Sequence, residues 1–125
     1  MKFILLVGAG GFVGSIARYL LSDAVQARLL TSFPFGTMTV NLLGCFVIGI
    51  VYALSESANL APEYRIFIAT GFCGGFTTFS SFSFESLTLL QDNQYLYATL
   101  YAGLSLVLGL LAAFLGVLLI RYLIA

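Results

Sequence analysis

Four long runs of apolar residues, none containing Asp, Glu, Lys or Arg, divide the chain. The charged residues stand between them, and the uncharged runs are Phe3–Ala17, Leu29–Ser55, Ile66–Phe84 and Asn93–Ile120. An α-helix rises about 1.5 Å per residue, so about 20 apolar residues cross the roughly 30 Å hydrocarbon core of a bilayer. Each run therefore predicts one transmembrane helix, and together they account for most of the 125 residues.

This pattern predicts an all-α integral membrane protein with four transmembrane helices in a single membrane domain, residues 1–125. The first run continues through Arg18 and Tyr19 without a small-residue cleavage site, so we interpret it as a retained span and not as a signal peptide. Residues 22–32 are predicted as a loop. The spans, TM1 to TM4, are predicted at about residues 3–21, 36–54, 65–90 and 96–124.

Composition supports a membrane location and narrows the chemistry. Hydrophobic residues make up 61% of the chain and charged residues 8%, whereas a soluble domain carries about 25% charged residues. The chain has no His, and Cys45 and Cys73 fall inside predicted spans, where a small buried side chain is the usual role. Without a nucleophile–base pair or metal-ligand spacing, we expect no enzyme. The net charge is zero and no basic cluster occurs, so nucleic acid is not an expected partner.

Small residues indicate which helix faces pack closely. TM1 contains Gly10-x-x-x-Gly14. Small side chains let helix backbones approach each other in lipid, so such faces predict helix contacts. TM4 carries a second small-residue face at steps of three or four, formed by Ala102, Ser105, Gly109, Ala112 and Gly116.

The cations are almost evenly divided between the two ends of the predicted bundle. With four spans, Lys2, Arg65 and Arg121 lie on one side and Arg18 and Arg28 on the other. Orientation in the membrane follows the imbalance of Lys and Arg near the spans, and three against two is close to balance. The sequence therefore permits insertion in both orientations and, with it, an antiparallel homodimer. A single, weakly selected orientation is the alternative.

The stretch GFCGGFTTFSSFSFE interrupts the third run with polar and small residues. Gly74 and Gly75 each weaken a helix by about 1 kcal/mol, which predicts a break near residues 74–77. Unpaired backbone groups at membrane depth are tolerated where they line a cavity or bind a ligand. Carbonyl groups freed in this way can hold a cation, and N–H groups can face an anion. Capping of the restarted helix by Thr77 or Thr78 is the structural alternative.

Beyond the glycines, hydroxyl and phenylalanine side chains recur at helical spacing. The positive edges of phenylalanine rings, interleaved with hydroxyl donors, suit a small anion. A strongly hydrated anion needs several donors in succession because it loses solvation in the membrane. Packing or lipid contact is the alternative for the aromatic residues. The predicted stripes are polar Thr78, Ser81 and Glu85, aromatic Phe76, Phe79 and Phe82, and Tyr101 with Ser105 on TM4.

Three polar side chains within the predicted spans are functional candidates, because polar groups are costly in lipid. Asn41, one turn into TM2, can donate to an anion or form an interhelical hydrogen bond. Arg18, near the end of TM1, can face a pore or extend to the interface. Glu85 lies deep in TM3 and needs a partner or water.

Several stretches of the chain resemble the Fluc (CrcB-type) family of small fluoride channels, and the spacing to Tyr101 and Ser105 extends the resemblance into TM4. The resemblance implies a passive, fluoride-selective channel in the plasma (inner) membrane that exports fluoride from the cell. It further implies an antiparallel, dual-topology homodimer with two pores, each built from both subunits. The matching stretches are GGFVGSIARY (10–19), FPFGTMTVNLLGCFVIG (33–49) and GFCGGFTTFSSFSFE (71–85).

The same resemblance implies roles for individual residues. It places a structural sodium ion at the dimer centre, held by the backbone carbonyls of Gly74 and Thr77 of each chain. Where some relatives continue the polar track of TM4 with another serine, this chain has Gly109. The predicted anion pathway comprises Arg18, Asn41, Thr78, Phe79, Ser81, Phe82, Glu85, Tyr101 and Ser105.

Two other functions remain open at the level of sequence. A small dual-topology, proton-coupled multidrug exporter also has four short helices, but it needs a carboxylate at its binding site, typically in TM1. Here TM1 has none, and Glu85 is the only embedded acid. A non-transporting assembly subunit would account for the small-residue faces but leaves the hydroxyl stripe unexplained.

Overall fold

The computed structural model describes residues 1–57 and 60–124, and their regular structure is entirely helical. Short turns connect most of the helices, and the third span is made of several helical pieces. The elements are α1 (Lys2–Arg28), α2 (Phe35–Ser57), α3 (Pro62–Arg65), a π-helical segment (Ile66–Cys73), α4 (Gly74–Phe76), α5 (Phe79–Gln91) and α6 (Tyr95–Ile124).

Four helical stretches in the described residues are long and apolar enough to cross a membrane, as the uncharged runs predict. Three of them are α1, α2 and α6, and the other extends over Pro62–Gln91. Large apolar side chains point outward, with Phe12 69% and Leu110 66% exposed. Lipid, unlike water, solvates such side chains favourably. The chain is therefore a multi-pass membrane protein.

The first helix is longer than the sequence predicts. The loop predicted over residues 22–32 begins only at Leu29, because α1 continues to Arg28. The segment SDAVQAR contains neither Gly nor Pro, so no residue in it breaks the helix. The side chain of Gln26 then satisfies backbone groups of the loop, since it donates to two carbonyls and accepts from the N–H of Gly36.

The Gly10-x-x-x-Gly14 face of α1 packs against the third span, which confirms the predicted contact. A Cβ atom added at Gly10 would lie 2.8 Å from the backbone nitrogen of Phe72, and one added at Gly14 would lie 3.0 Å from that of Phe76. Distances this short leave no room for a methyl group. The two glycines therefore let two backbones touch directly.

Helix α6 packs along α2, and its small-residue face is only partly used for this contact. A Cβ atom at Gly116 would lie 3.0 Å from the backbone nitrogen of Ile50 and would also meet the carbonyl of Phe46. Gly109 is less confined, because the nearest neighbour of a Cβ atom added there would be the Cys45 sulfur at 3.6 Å. Ala102, predicted as part of the packed face, is instead exposed. The packing contact thus covers the second half of the predicted face.

The third span changes its backbone conformation where the sequence combines glycine and threonine. Gly74 and Gly75 are helical, so they do not open the helix as predicted. Gly75 instead permits close approach, since a Cβ atom there would lie 2.5 Å from the carbonyl oxygen of Gly11. The extended residues are Thr77 (φ −89°, ψ 158°) and Thr78 (φ −151°, ψ 118°). Threonine is branched at Cβ and suits extended backbone better than helix.

Candidate functional site

The amide of Asn41 forms two hydrogen bonds with the backbone of extended Thr78. Its Nδ2 donates to the Thr78 carbonyl at 3.1 Å, and its Oδ1 accepts from the Thr78 N–H at 2.8 Å. An extended residue between two helices has a donor and an acceptor that neither helix satisfies, and an amide side chain supplies both partners. Asn41 is thus an interhelical hydrogen-bonding residue, one of the two roles predicted for it.

Thr78 also begins helix α5. Its Oγ1 accepts a hydrogen bond from the N–H of Ser81 at 3.1 Å and donates one to the Ser81 hydroxyl, also at 3.1 Å. This geometry is an N-cap, which satisfies one of the free N–H groups at a helix start. The predicted capping role of Thr78 is therefore confirmed. Thr77 does not cap, because its N–H and its hydroxyl both donate to the carbonyl of Cys73.

The interruption leaves several carbonyl groups without their usual helical partners, and those of Gly74 and Thr77 are among them. In a continuous helix, the carbonyl of Gly74 would accept from the N–H of Thr78, and that of Thr77 from the N–H of Ser81. Thr78 donates to Asn41 instead, and Ser81 donates to the Thr78 hydroxyl. Within residues 1–57 and 60–124, neither carbonyl accepts another backbone hydrogen bond across the interruption. A Cβ atom at Gly74 would meet no atom within 4 Å, so the space beside it is open.

A second polar cluster lies further along α5, and we call Thr37, Glu85 and Tyr101 the Glu85 cluster. The Thr37 hydroxyl donates to Oε1 of Glu85 at 2.6 Å, and the Tyr101 hydroxyl donates to Oε2 at 2.6 Å. Thr37 and Tyr101 are both buried, with Tyr101 fully inaccessible. The carboxylate therefore accepts one short hydrogen bond on each oxygen and connects α2, α5 and α6.

Aromatic rings connect this cluster with the region of Asn41. The ring of Phe82 lies 5.0 Å from that of Tyr101 and 5.7 Å from that of Phe79. Phe82 is half-buried, whereas Phe79 is 79% exposed at the surface of the chain. Phe76 does not continue the stripe as predicted, because the extended residues separate it from α5. It stacks on Phe72 at 5.3 Å instead.

A cavity of about 460 Å³, the central cavity, opens between α2, α6 and the interrupted span. Its walls contain hydroxyl, amide, thiol and aromatic groups, and none of its lining residues in the described part of the chain is charged. Both thiols, Cys45 and Cys73, contribute to the walls. Five of the nine residues predicted for the anion pathway line this cavity: Asn41, Thr78, Phe79, Phe82 and Ser105.

The hydroxyl of Ser105 is the exceptional polar group of the cavity. Its oxygen is buried, and it has no hydrogen-bond partner among the residues that the structure describes. Buried hydroxyl groups normally have a partner. Ser105 lies one helical turn beyond Tyr101 on α6 and lines the central cavity. The hydrogen-bonding capacity of the Ser105 hydroxyl is therefore not used by the described residues.

The other predicted pathway residues lie outside the cavity lining. Glu85 and Tyr101 belong to the Glu85 cluster, and Ser81 is bound to Thr78. Arg18 is half-buried on α1 and forms no ion pair with the described residues. Their part in an anion pathway stays a prediction.

Thr37 is a site residue that the sequence analysis missed. It precedes Asn41 by four residues in GTMTVNLLG, so both side chains lie on the same face of α2. This spacing was the available signal. No local pattern indicates the partner of Thr37, because Glu85 lies 48 residues further along the chain.

Comparison with known proteins identifies the family. The model of a family described as CrcB-like protein, Camphor Resistance (CrcB), matches residues 5–117. The chain belongs to the CrcB family. Its resemblance to this family, inferred from the three sequence stretches, is thereby confirmed.

Curated relatives match the chain over nearly its whole length. A protein named fluoride-specific ion channel FluC from Chlorobium phaeobacteroides is 54% identical over 114 residues, which cover 90% of this chain and 88% of the relative. The protein of the same name from Chlorobaculum tepidum is 52% identical over 122 residues, with 97% and 96% covered. That from Gloeothece citriformis is 46% identical over 121 residues, with 97% and 98% covered. These CrcB relatives are named as ion channels and not as enzymes.

Proposed function

We propose that this protein is a passive, fluoride-selective channel. The observation that carries the proposal is the central cavity, where a buried hydroxyl without a partner among the described residues lies among phenylalanine rings and other uncharged groups. The names of relatives at about half identity support fluoride as the ion. A neutral cavity with donors suits a passive path, because a fixed charge inside it would hold the ion too tightly for release.

The cavity offers donors that can replace part of the hydration shell of a small anion. The amide nitrogen of Asn41 carries two hydrogens, and the carbonyl of Thr78 takes one of them. The second hydrogen and the Ser105 hydroxyl are then available to an anion. The edges of Phe79 and Phe82 add weak positive potential. Successive weak donors favour passage over permanent binding.

The second step of the proposal is an antiparallel homodimer with two pores. Phe79 lines the central cavity and is also 79% exposed, so the cavity wall reaches the surface of a single chain. A second copy would close this wall and separate the anion from lipid. The near balance of cations at the two ends permits both orientations. A passive pathway in the plasma membrane then lets fluoride leave the cell down its gradient.

The third step is a structural sodium ion at the centre of the dimer. The carbonyls of Gly74 and Thr77 fit such a role, because both lack their usual N–H donors and the space beside Gly74 is open. Sodium is a hard cation that takes oxygen ligands, and four converging carbonyl dipoles from two chains would need a positive charge between them. The ion would hold the two interrupted spans together and takes no part in anion transfer.

Fluoride efflux from liposomes that contain the purified protein tests the function. A fluoride electrode is expected to record rapid efflux, while matched liposomes loaded with chloride retain their content. Equal release of both anions would contradict selectivity. The variant Phe82→Ala is expected to slow the efflux without loss of the dimer, as judged by size-exclusion chromatography with light scattering.

The dimer and the sodium ion require their own experiments. Single-cysteine labelling of intact cells should find residues of the loop between α1 and α2 accessible from both sides of the membrane. Labelling from one side alone would contradict dual insertion. Exchange of sodium for the larger N-methylglucamine cation should lower the thermal stability of the dimer. An unchanged melting curve would contradict a structural sodium ion.

The exporter alternative is not favoured. The relatives are named as fluoride channels, and the only embedded acid, Glu85, lies outside the central cavity. If the protein were a non-transporting assembly subunit, the unpartnered hydroxyl of Ser105 would have no explanation.

A further inference from the structure

A second, smaller cavity of about 270 Å³ lies between α2 and the beginning of the third span, and we call it the Arg65 groove. It lies at the end of the bundle that contains the connection between these two elements. Val51 contributes an apolar wall, and the polar groups of the lining are those of Tyr52, Ser55, Glu56 and Arg65.

The Arg65 groove adjoins the central cavity. Ile48 on α2 and Ala69 in the π-helical segment line both spaces. Several residues of α2 line the Arg65 groove or the central cavity. They recur at steps of three or four, which places them on one helix face. That face carries Asn41, Cys45, Ile48, Tyr52 and Glu56.

One positive charge at this end of the protein is not balanced. Glu56 is paired with Arg121 at 3.6 Å, and Lys2 is paired with Glu63 at 2.8 Å. Among residues 1–57 and 60–124, Arg65 has no carboxylate oxygen within 4.0 Å. Arg65 is exposed, so its guanidinium remains hydrated at the mouth of the groove.

We propose that the Arg65 groove is the access route to the central cavity and that Arg65 recruits the anion to it. The inference rests on the proposed channel function. An exposed guanidinium raises the local concentration of a small anion without binding it tightly, since water screens the pair. The anion then meets the first fixed donors at Asn41 and Ser105. Arg65 is therefore a positioning residue at the mouth and not a part of the selective cavity.

The experiment measures fluoride efflux from liposomes with the full-length protein at two ionic strengths, set with potassium gluconate. At about 0.01 M the Debye length is about 30 Å, and at about 1 M it is about 3 Å. We expect Arg65→Gln to lower the rate about three- to tenfold at low ionic strength and to have little effect at high ionic strength. Arg65→Lys should retain the wild-type rate, because it keeps the charge.

Two variants make the test specific. Lys2→Gln removes the same charge at the same end but outside the groove, and its defect at low ionic strength should be clearly smaller than that of Arg65→Gln. Glu56→Gln releases Arg121 from its partner and should raise the rate at low ionic strength. The inference is overturned if Arg65→Gln matches Lys2→Gln, or if its defect is the same at both ionic strengths, while wild type conducts. Wild-type protein that conducts no fluoride would overturn the channel function as well.

Discussion

Tyr101 and Ser105 lie one turn apart on α6, yet their hydroxyls have opposite environments. The Tyr101 hydroxyl donates to Glu85 at 2.6 Å, and the second carboxylate oxygen accepts from Thr37 at the same distance. The Ser105 hydroxyl is buried without a partner among the described residues. Every hydroxyl and carboxylate oxygen of the Glu85 cluster thus has a hydrogen-bond partner, and in this sense the cluster is saturated, whereas the central cavity is not.

This difference indicates different roles: the Glu85 cluster stabilises the fold, and the central cavity can bind a ligand. A saturated buried cluster stabilises the arrangement of its helices, and loss of one member leaves the others unsatisfied. An unsatisfied donor in a cavity costs free energy that a bound ligand can recover. We therefore expect substitutions in the Glu85 cluster to change stability most and substitutions in the central cavity to change flux most.

Asn41 belongs to both categories, and its replacement is expected to have the largest effect. Asn41→Leu leaves the N–H and the carbonyl of Thr78 without partners, at about 1–3 kcal/mol for each group. It also removes the free amide hydrogen from the cavity. We expect a much lower unfolding temperature in detergent and fluoride flux at background level.

The matched control for this variant is Leu43→Ala. Leu43 lies two residues further along α2 and is exposed, so its truncation should change neither stability nor flux substantially. If Asn41→Leu unfolds at the wild-type temperature, the two hydrogen bonds to Thr78 do not hold the interrupted span in place.

Replacement of the carboxylate tests the saturated cluster. In Glu85→Gln, one of the two oxygens becomes an NH2 donor, so the hydroxyl that faces it must turn to accept and its own hydrogen loses its acceptor. We expect a loss of stability of about 1–3 kcal/mol, seen as a lower unfolding temperature, and retained flux per folded dimer. Normal stability with abolished flux would assign Glu85 to the anion pathway.

A double-mutant cycle with Tyr101→Phe strengthens this test. Tyr101→Phe removes the hydroxyl that Glu85 accepts from while it keeps the ring against Phe82. Since both substitutions disturb the hydrogen bonds of the same side chain, the double variant should be more stable than the sum of the two losses allows. Additive losses would mean that the two side chains act independently.

The sequence predicts the spans and most of the polar residues of the site, because uncharged runs and helical spacing are local properties. Spacing also assumes an unbroken helix, and that assumption fails at Thr77 and Thr78. For this reason spacing assigns Phe76 to the wrong stripe. Glycine content likewise predicts an opened helix where Gly75 instead lets the helix pack closely.

The spacing of residues along the chain carries no information about which distant segments pair with each other. Asn41 bonds a residue 37 positions away, and Thr37 bonds one 48 positions away. A single sequence shows that these side chains need partners in lipid but not which partners they find. The cavity at Ser105 depends on three helices and therefore appears only in the structure.

Ser105→Ala is the most direct test of the unsatisfied site. The substitution removes a hydroxyl that has no partner among the described residues, so stability should be unchanged or slightly higher. Fluoride flux is expected to fall about tenfold, which corresponds to about 1.4 kcal/mol in the barrier. Ser105→Thr keeps the hydroxyl and should restore much of the flux. Wild-type flux in Ser105→Ala would remove this donor from the proposed path.

The smallest effect is expected from adding a donor one turn beyond Ser105. At Gly109 a Cβ atom would make an ordinary contact, 3.6 Å from the Cys45 sulfur, so Gly109→Ser should fold normally. Its hydroxyl would extend the row of donors along α6, and we expect flux to rise by less than about threefold, which corresponds to about 0.6 kcal/mol, near the lower end of what one hydrogen bond contributes. The matched variant Gly116→Ser places its Cβ against the carbonyl of Phe46 and 3.0 Å from the nitrogen of Ile50 and should be clearly destabilised. If both serines destabilise the protein equally, α6 is as tightly packed at Gly109 as at Gly116, and the cavity ends at Ser105.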